Sequence, residues 1–465
     1  MNKQTQAGYA EWLVTELCDH LEQHHHALIR DLFPELAIQS RAAAKIDSTS
    51  IPEMTRLERL TAEITEELKQ YLLFDFHILL PFLRYRGKYS ESDVSQLADE
   101  KTVSFAKRAR GRQAEVEKIL DNLRKLTSNY NIPVDISPSA KHLIQALREL
   151  DALSRELFSV ERDIIIPKTG LLDLPLQGAT ESEKKANRQN NAPMKPIFVC
   201  TDFSAGSDNA VRYAAQMALA FHAELILFHA SHSSVSATGQ ETSKTTDEKQ
   251  REAEARKKLD AVAAQLKKEH GMEPRTECVT GLPVEEIVST ASRFDAGLII
   301  TGARETAAGS GLVGGLVYDL MHSATRPVMA VPMGISFTPP KKIVLASDLQ
   351  RGEQFDDSLL RSLVNRFNAQ LLLVSVLSPG EKPGVEKAIA GVELEHRYAD
   401  ITHRLQLTED ESLVDGLNEF AYNHNADLVV IIPHRHNFLI RMMRATQTQK
   451  VLKGTHRPLL TLVNN

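Results

Sequence analysis

The chain changes character at Pro196. Before it no β-branched strand pattern appears; instead there are four long helical stretches, roughly 8–36, 53–83, 98–130 and 138–164. Apolar residues recur there at three- and four-residue spacing, as in Leu143, Leu147, Leu150, Leu153 and Leu157. Pro34, Pro81, Pro133 and Pro167 fall near the expected ends or connections, where a residue without an N–H is tolerated. Four amphipathic helices with short connections predict an all-α four-helix bundle over 1–168. After Pro196 short apolar strands alternate with helical stretches. That alternation predicts parallel sheets with helices on both faces, the doubly wound α/β arrangement. Between them, 169–194 is polar with little periodicity and reads as a linker. At 465 residues there is chain enough for three cores.

The stretch 195–335 carries the most chemistry. Pro196–Asp202 (PIFVCTD) is a short apolar strand ending in an acid. Ser204 or Ser207 can cap the helix that follows, in which Val211, Ala214, Ala215 and Ala218 share a face. The next strand, Ala223–Ala230, brings Ala230 to the same sheet edge as Asp202. A polar loop, Ser231–Asp247, precedes an amphipathic helix over 248–268, and Pro283 marks the first turn of another helix. The run Leu298–Thr301 meets Gly302, and a loop containing Gly309, Ser310, Gly311, Gly314 and Gly315 leads into a helix and a last strand ending at Pro332. Bare backbone N–H groups and the positive end of a helix macrodipole make such a loop a place for anionic groups. Ligands of these sheets sit at the carboxyl ends of the strands, where Asp202 and Gly302 both fall. The loop lacks the Gly-Lys-Ser/Thr ending of a Walker A sequence and is not a clean GxGxxG. The plainer alternative is that the glycines serve turns and Asp202 caps a helix.

A second copy follows over 340–465. Lys342–Asp348 repeats Pro196–Asp202, Ala369–Leu377 parallels Ala223–Ala230, Ala426–Pro433 parallels the strand before Gly302, and Arg457–Val463 parallels Arg326–Val331. This copy has no glycine loop: His434, Arg435, His436 and two later arginines stand in its place. That predicts a loop filled by side chains. The His pair has no third ligand nearby for a metal.

The α/β region resembles the universal stress protein family. ATP-binding members carry Gly, two residues, Gly, nine residues, Gly, then Ser or Thr. Here Gly302 takes the first position, Glu305 stands near the second, Gly314 takes the third, and Gly315 occupies the place of the hydroxyl residue. The resemblance implies ATP or AMP as a ligand, with Asp202 against its adenosine part. It also implies that two such domains pack through their last strands, here Val328–Val331 and Leu459–Val463, as an intramolecular pseudo-dimer, with room for a homodimer. The N-terminal region resembles the haemerythrin-like domains of iron-centre repair proteins, through His25-His26-Ala-Leu-Ile-Arg-Asp-Leu-Phe-Pro, Glu67-Leu to Pro81, and Leu126 to Pro133 with Ile164 to Pro167. In that family a di-iron site sits in the bundle core. Of its positions, His26 matches a histidine, Asp75 and Glu161 keep carboxylates, and Tyr71, Gln113 and Leu157 replace histidines. So oxygen-rich a remnant argues against a metal centre. Successive helical residues point about 100° apart, so His24, His25 and His26 read as a solvated face. Lys107, Arg108, Arg110 and Arg112, beside Glu115 and Glu117, read the same way.

Net charge is −6 and the pI about 6.3, which excludes a nucleic-acid footprint. Three cysteines, Cys18, Cys200 and Cys278, form no CxxC pair, which suits a reducing compartment. No apolar run approaches the ~20 residues that span a membrane, and the N-terminal residues have no signal-peptide pattern. No Ser–His–Asp arrangement or metal triad stands out. The sequence therefore favours a cytoplasmic stress-response binding protein over an enzyme, with an adenine nucleotide as regulatory ligand of its first α/β domain and an unidentified protein partner. Two alternatives stay open: an iron-containing redox or nitrosative-stress protein, and a ligand-free interaction scaffold.

Overall fold

The computed structural model describes residues 9, 11–48, 51–87, 100–131, 136–169, 194–232, 246–303, 315–350, 354–432 and 457–464. They form two compact units. The first comprises Met1–Gly178, Leu349–Gly352 and Gly380–Ala399, and the second comprises Ala179–Asp348, Glu353–Pro379 and Asp400–Asn465.

The first unit is helical. Continuous helical runs cover 14–47, 53–86, 100–126 and 138–168. Three of them widen into a π turn: Leu21–His25, Asp75–Leu79 and Glu161–Ile165. Each turn closes five residues instead of four, with the N–H of His26 donating to Leu21 O, that of Leu80 to Asp75 O and that of Ile166 to Glu161 O. Pro81 and Pro167 each come two residues after the end of such a turn, in the first turn of the α-helix that follows, where a missing N–H is tolerated. Pro34 is not near an end, as expected, but inside the run, which continues to Asp47. Leu36, Ala43 and Ala44 are buried beyond it, and their packing outweighs the roughly 3 kcal/mol of an interior proline. The third run stops at Leu126, short of the expected 130, because Ser128, Asn129 and Tyr130 have φ of 49°, 63° and 59°. One further helix, Val385–Arg397, packs in this unit against Asp75–Leu79, Leu80–Arg86 and Glu100–Leu126.

The second unit is built on one ten-stranded sheet. Its strands are β1 (Ile197–Cys200), β2 (Leu225–His232), β3 (Arg275–Gly281), β4 (Leu298–Ala303), β5 (Val328–Pro332), β6 (Lys342–Ala346), β8 (Gln370–Leu377), β9 (His403–Glu409), β10 (Leu428–Ile431) and β11 (Leu459–Thr461). Their order is β3-β2-β1-β4-β5-β11-β10-β6-β8-β9. Neighbours pair in parallel except at the centre, where Val328, Met329 and Ala330 of β5 lie antiparallel to Thr461, Leu460 and Leu459 of β11. The central strands are near-continuous apolar runs, as strands covered on both faces must be. The strand expected to run through Val463 breaks at Leu462: β12 (Val463–Asn464) pairs instead with β7 (Phe355–Asp356) in a separate two-stranded sheet. Strand β2 extends past Ala230 to His232, and the helix expected over 248–268 is Thr246–His270.

Candidate functional site

Strand order reverses between β1 and β4, and the carboxyl ends of both strands open into one cavity of about 280 Å³. Cys200, Thr201 and Asp202 line it from β1, Phe228 and Ala230 from β2, and Thr301 and Gly302 from β4; Ser204, Ser207, Pro283, Ile287, Leu316 and Val317 complete the wall. Asp202, Ala230 and Gly302 thus come together. Gly315 is the first residue of the helix Gly315–Ser323. Gly309, Ser310, Gly311, Gly314 and Glu305 lie outside the described residues, as do His434, Arg435 and His436.

The turn after β1 explains the local shape. Ser204 caps the helix Ala205–Phe221, its hydroxyl accepting from Ser207 N–H at 3.4 Å. Ser204 N–H in turn donates to Asp202 Oδ1 at 3.0 Å. The Ser207 hydroxyl lies 3.1 Å from that of Thr201 and accepts from the N–H of Asp202. Phe203 between them takes φ 61°, a left-handed conformation that is strained for a bulky residue. Its ring stacks on His229, with centroids 4.6 Å apart, and His229 Nδ1 meets Thr201 O at 2.8 Å. Gly302 has a different reason to be glycine from the one its place in the loop suggests. A Cβ there would fall 2.6 Å from Gly206 O, so its bareness lets β4 and the capped helix touch. Burial pushes the Cys200 thiol pKa up, which keeps this cavity-lining sulfur protonated and inert.

The helical unit has a polar core of its own. His26 Nε2 meets Asp75 Oδ2 at 2.6 Å. Tyr71 OH donates to Glu161 Oε2, and Gln113 Nε2 donates to Glu161 Oε2 at 2.6 Å and to Tyr71 OH at 3.1 Å. All five side chains are buried, and all four helical runs contribute. Asp75 opens one π turn, Glu161 opens another, and His26 directly follows the third. Burial raises Asp75 to about 8, and burial plus the Asp75 charge raises Glu161 well above the usual carboxylate range. Burial lowers His26 to about 4, so at neutral pH the pair is uncharged.

This cluster does not fit a di-iron centre. Tyr71 and Gln113 spend their hydrogens on Glu161, Leu157 puts a fully buried hydrocarbon where an imidazole is needed, and a single histidine remains. Among the described residues no group of three or more His, Cys, Asp or Glu is arranged to hold a metal.

Two expected solvated faces are only partly solvated: His24 and Lys107 are exposed, but other members of each run are not. His25 and His26 are buried; His26 faces Asp75, and the rings of His20, His24 and His25 lie 5.3–5.4 Å apart. Arg112 is buried and, with Arg108, holds Glu395 of the helix Val385–Arg397. No described helix is long and apolar enough to cross a membrane.

Residues 193–332 match the Universal stress protein family. A stretch of 158 residues is 22% identical to the iron-sulfur cluster repair protein YtfE of Escherichia coli O157:H7, covering 33% of this chain and 66% of that protein's length. Similar solved structures include a universal stress protein from Archaeoglobus fulgidus DSM 4304, 16% identical with TM-score 0.45, covering 58% of this chain and 98% of that one. Another is the universal stress protein from Archaeoglobus fulgidus in complex with dAMP, 22% identical with TM-score 0.24, covering 30% and 98%.

Proposed function

We propose, on the match of residues 193–332 to the Universal stress protein family, that the cavity at the ends of β1 and β4 takes an adenine nucleotide as a regulatory ligand and that the protein serves stress response by binding rather than catalysis. The observation that carries this reading is the cavity itself: an exposed acid, Asp202, at one end of a largely apolar hollow, with the hydroxyl-capped start of Ala205–Phe221 in its wall. Its volume lies at the small end of ligand pockets, and no Lys or Arg stands among its described lining residues. That favours a monophosphate over a triphosphate. Asp202 is suited to accept from ribose hydroxyls, and the loop glycines to place N–H groups on phosphate.

The two halves of the sheet are read as tandem universal stress domains, 195–335 and 340–465, joined as an intramolecular pseudo-dimer. Support comes from strand order, which runs 3-2-1-4-5 outward-to-centre in one half and in the matching sequence from β9 to β11 in the other. Calorimetry on the full chain with AMP, cyclic AMP and ATP tests the ligand. AMP binding that weakens in Asp202→Ala and stays in Asp348→Ala is expected. The reverse pattern would put the ligand in the other half, and no binding of any of the three would refute the reading.

A further inference from the structure

By chain order the helix Val385–Arg397 is the crossover between β8 and β9, two neighbouring parallel strands. Its counterpart between β2 and β3, Thr246–His270, packs on those two strands. Val385–Arg397 has other principal neighbours: the π turn Asp75–Leu79 and the helices Leu80–Arg86 and Glu100–Leu126. Small and apolar side chains make this fit close: Ala388, Ala390, Gly391, Val392 and Leu394 are all buried. Near its end sits Glu395, 1% exposed, which accepts from Arg108 Nε at 2.9 Å and Arg112 Nη2 at 2.8 Å. The Arg112 guanidinium also lies 4.0 Å over the centre of the Phe74 ring. A carboxylate so deeply buried is tolerable only with its cations in place, so the geometry specifies one partner and one register.

We propose that Val385–Arg397 is a docking helix. The surface formed by Phe74, Arg108 and Arg112 is its receptor, and that surface is reserved for this segment of the same chain rather than for an outside protein. A crossover helix cannot leave its strands, since it is continuous with both. The helical unit therefore holds the second half of the sheet through covalent connections at either end of the docked helix, independently of the 169–194 stretch. This inference does not depend on nucleotide binding.

The test uses the full chain with a site-specific protease sequence inserted within 179–190. After complete cleavage the two pieces are expected to co-elute on size exclusion at the mass of the uncut chain, and to do so at high salt, because a buried ion pair is little screened. In Glu395→Arg the cleaved pieces should separate. Wild-type pieces that part on cleavage, or Glu395→Arg pieces that stay together as firmly as wild type, would overturn the proposal. Should Glu395→Arg fail to fold, Glu395→Gln in the uncut chain decides. Amide hydrogen exchange over 385–397 should rise about tenfold or more, with 246–270 unchanged. Equal exchange in both helices relative to wild type would refute docking.

Discussion

The two halves of the sheet share a strand order and differ in what their helices do. In the half from β1 to β5, the crossover Thr246–His270 is long and heavily charged and packs on β2 and β3. In the half from β6 to β11, the crossover Val385–Arg397 is shorter, rich in small residues, and packs in the helical unit. The first half also has Gly302 pressed against Gly206 and the cavity beside it. One topology thus supports two kinds of contact.

Several changes would break or sharpen this contrast. The largest effect is expected from Gly302→Val, whose Cβ would meet a backbone carbonyl that cannot swing aside. It should destabilise the sheet unit by about 3 kcal/mol in denaturant unfolding and close the cavity. A variant of wild-type stability would mean that the helix approaches β4 less closely than described.

Next comes pH. Asp75 and Glu161 are raised by burial, so the folded state keeps protons that the unfolded chain releases, and stability falls as pH rises toward 8. His25, His26 and His77 are lowered to about 4 by burial, so stability also falls as pH drops from 6.5 toward 4. The expected curve has its maximum near pH 6.5. On the alkaline side it declines by up to about 1.4 kcal/mol per pH unit for each carboxyl involved, and Asp75→Asn flattens that side. Asp75 and His77 belong to the π turn against which Val385–Arg397 packs. Exchange protection factors over 385–397, corrected for the intrinsic pH dependence of amide exchange, should therefore vary with pH, while those over 246–270 should not. Equal pH response in the two helices would erase the distinction.

A smaller effect separates the two acids. Asp202→Ala should weaken AMP about tenfold, near 1.4 kcal/mol, with Asp348→Ala silent in the same calorimetry. The smallest concerns helix caps. Ser204 accepts from Ser207 N–H and Ser412 from Asp415 N–H, so each change to Ala should cost about 1 kcal/mol in thermal unfolding. Only Ser204→Ala should also alter AMP affinity, since only Ser204 lines the cavity.

The strands and the caps were legible in the sequence because they are written in local chemistry. The apolar runs at Phe198, Ile299 and Val344, Ser204 before its helix, and Pro283 at a first turn all appear where the residues predict them. The π turns left no such mark, since a five-residue closure uses the same residue types as a four-residue one. Without them His25 reads as exposed; Pro34 reads as a helix end for a different reason, because the packing of Leu36, Ala43 and Ala44 beyond it is tertiary. Arg112 misled for another reason: whether a helix face is wet depends on what covers it, and its cover, Glu395, is 283 residues away. The polar core falls between these cases. The resemblance aligned His26, Tyr71, Asp75, Gln113 and Glu161, and they do meet. They pair through Asp75 Oδ2 and Glu161 Oε2, leaving Asp75 Oδ1, Gln113 Oε1 and Glu161 Oε1 buried without a partner, which position alone did not reveal.

The antiparallel seam has a consequence for the order of folding. β11 follows every other strand of the ten in the chain, yet it occupies the middle of the sheet, with Leu459 opposite Ala330. Each flank can assemble from nearer segments, but the seam joins residues some 130 apart and must close late. Until it does, β5 presents an uncovered apolar edge, the kind that templates association between chains. Removing 457–464 would therefore not trim a margin. It would split the sheet down its centre and leave two open edges, so aggregation rather than a shortened fold is the outcome to expect.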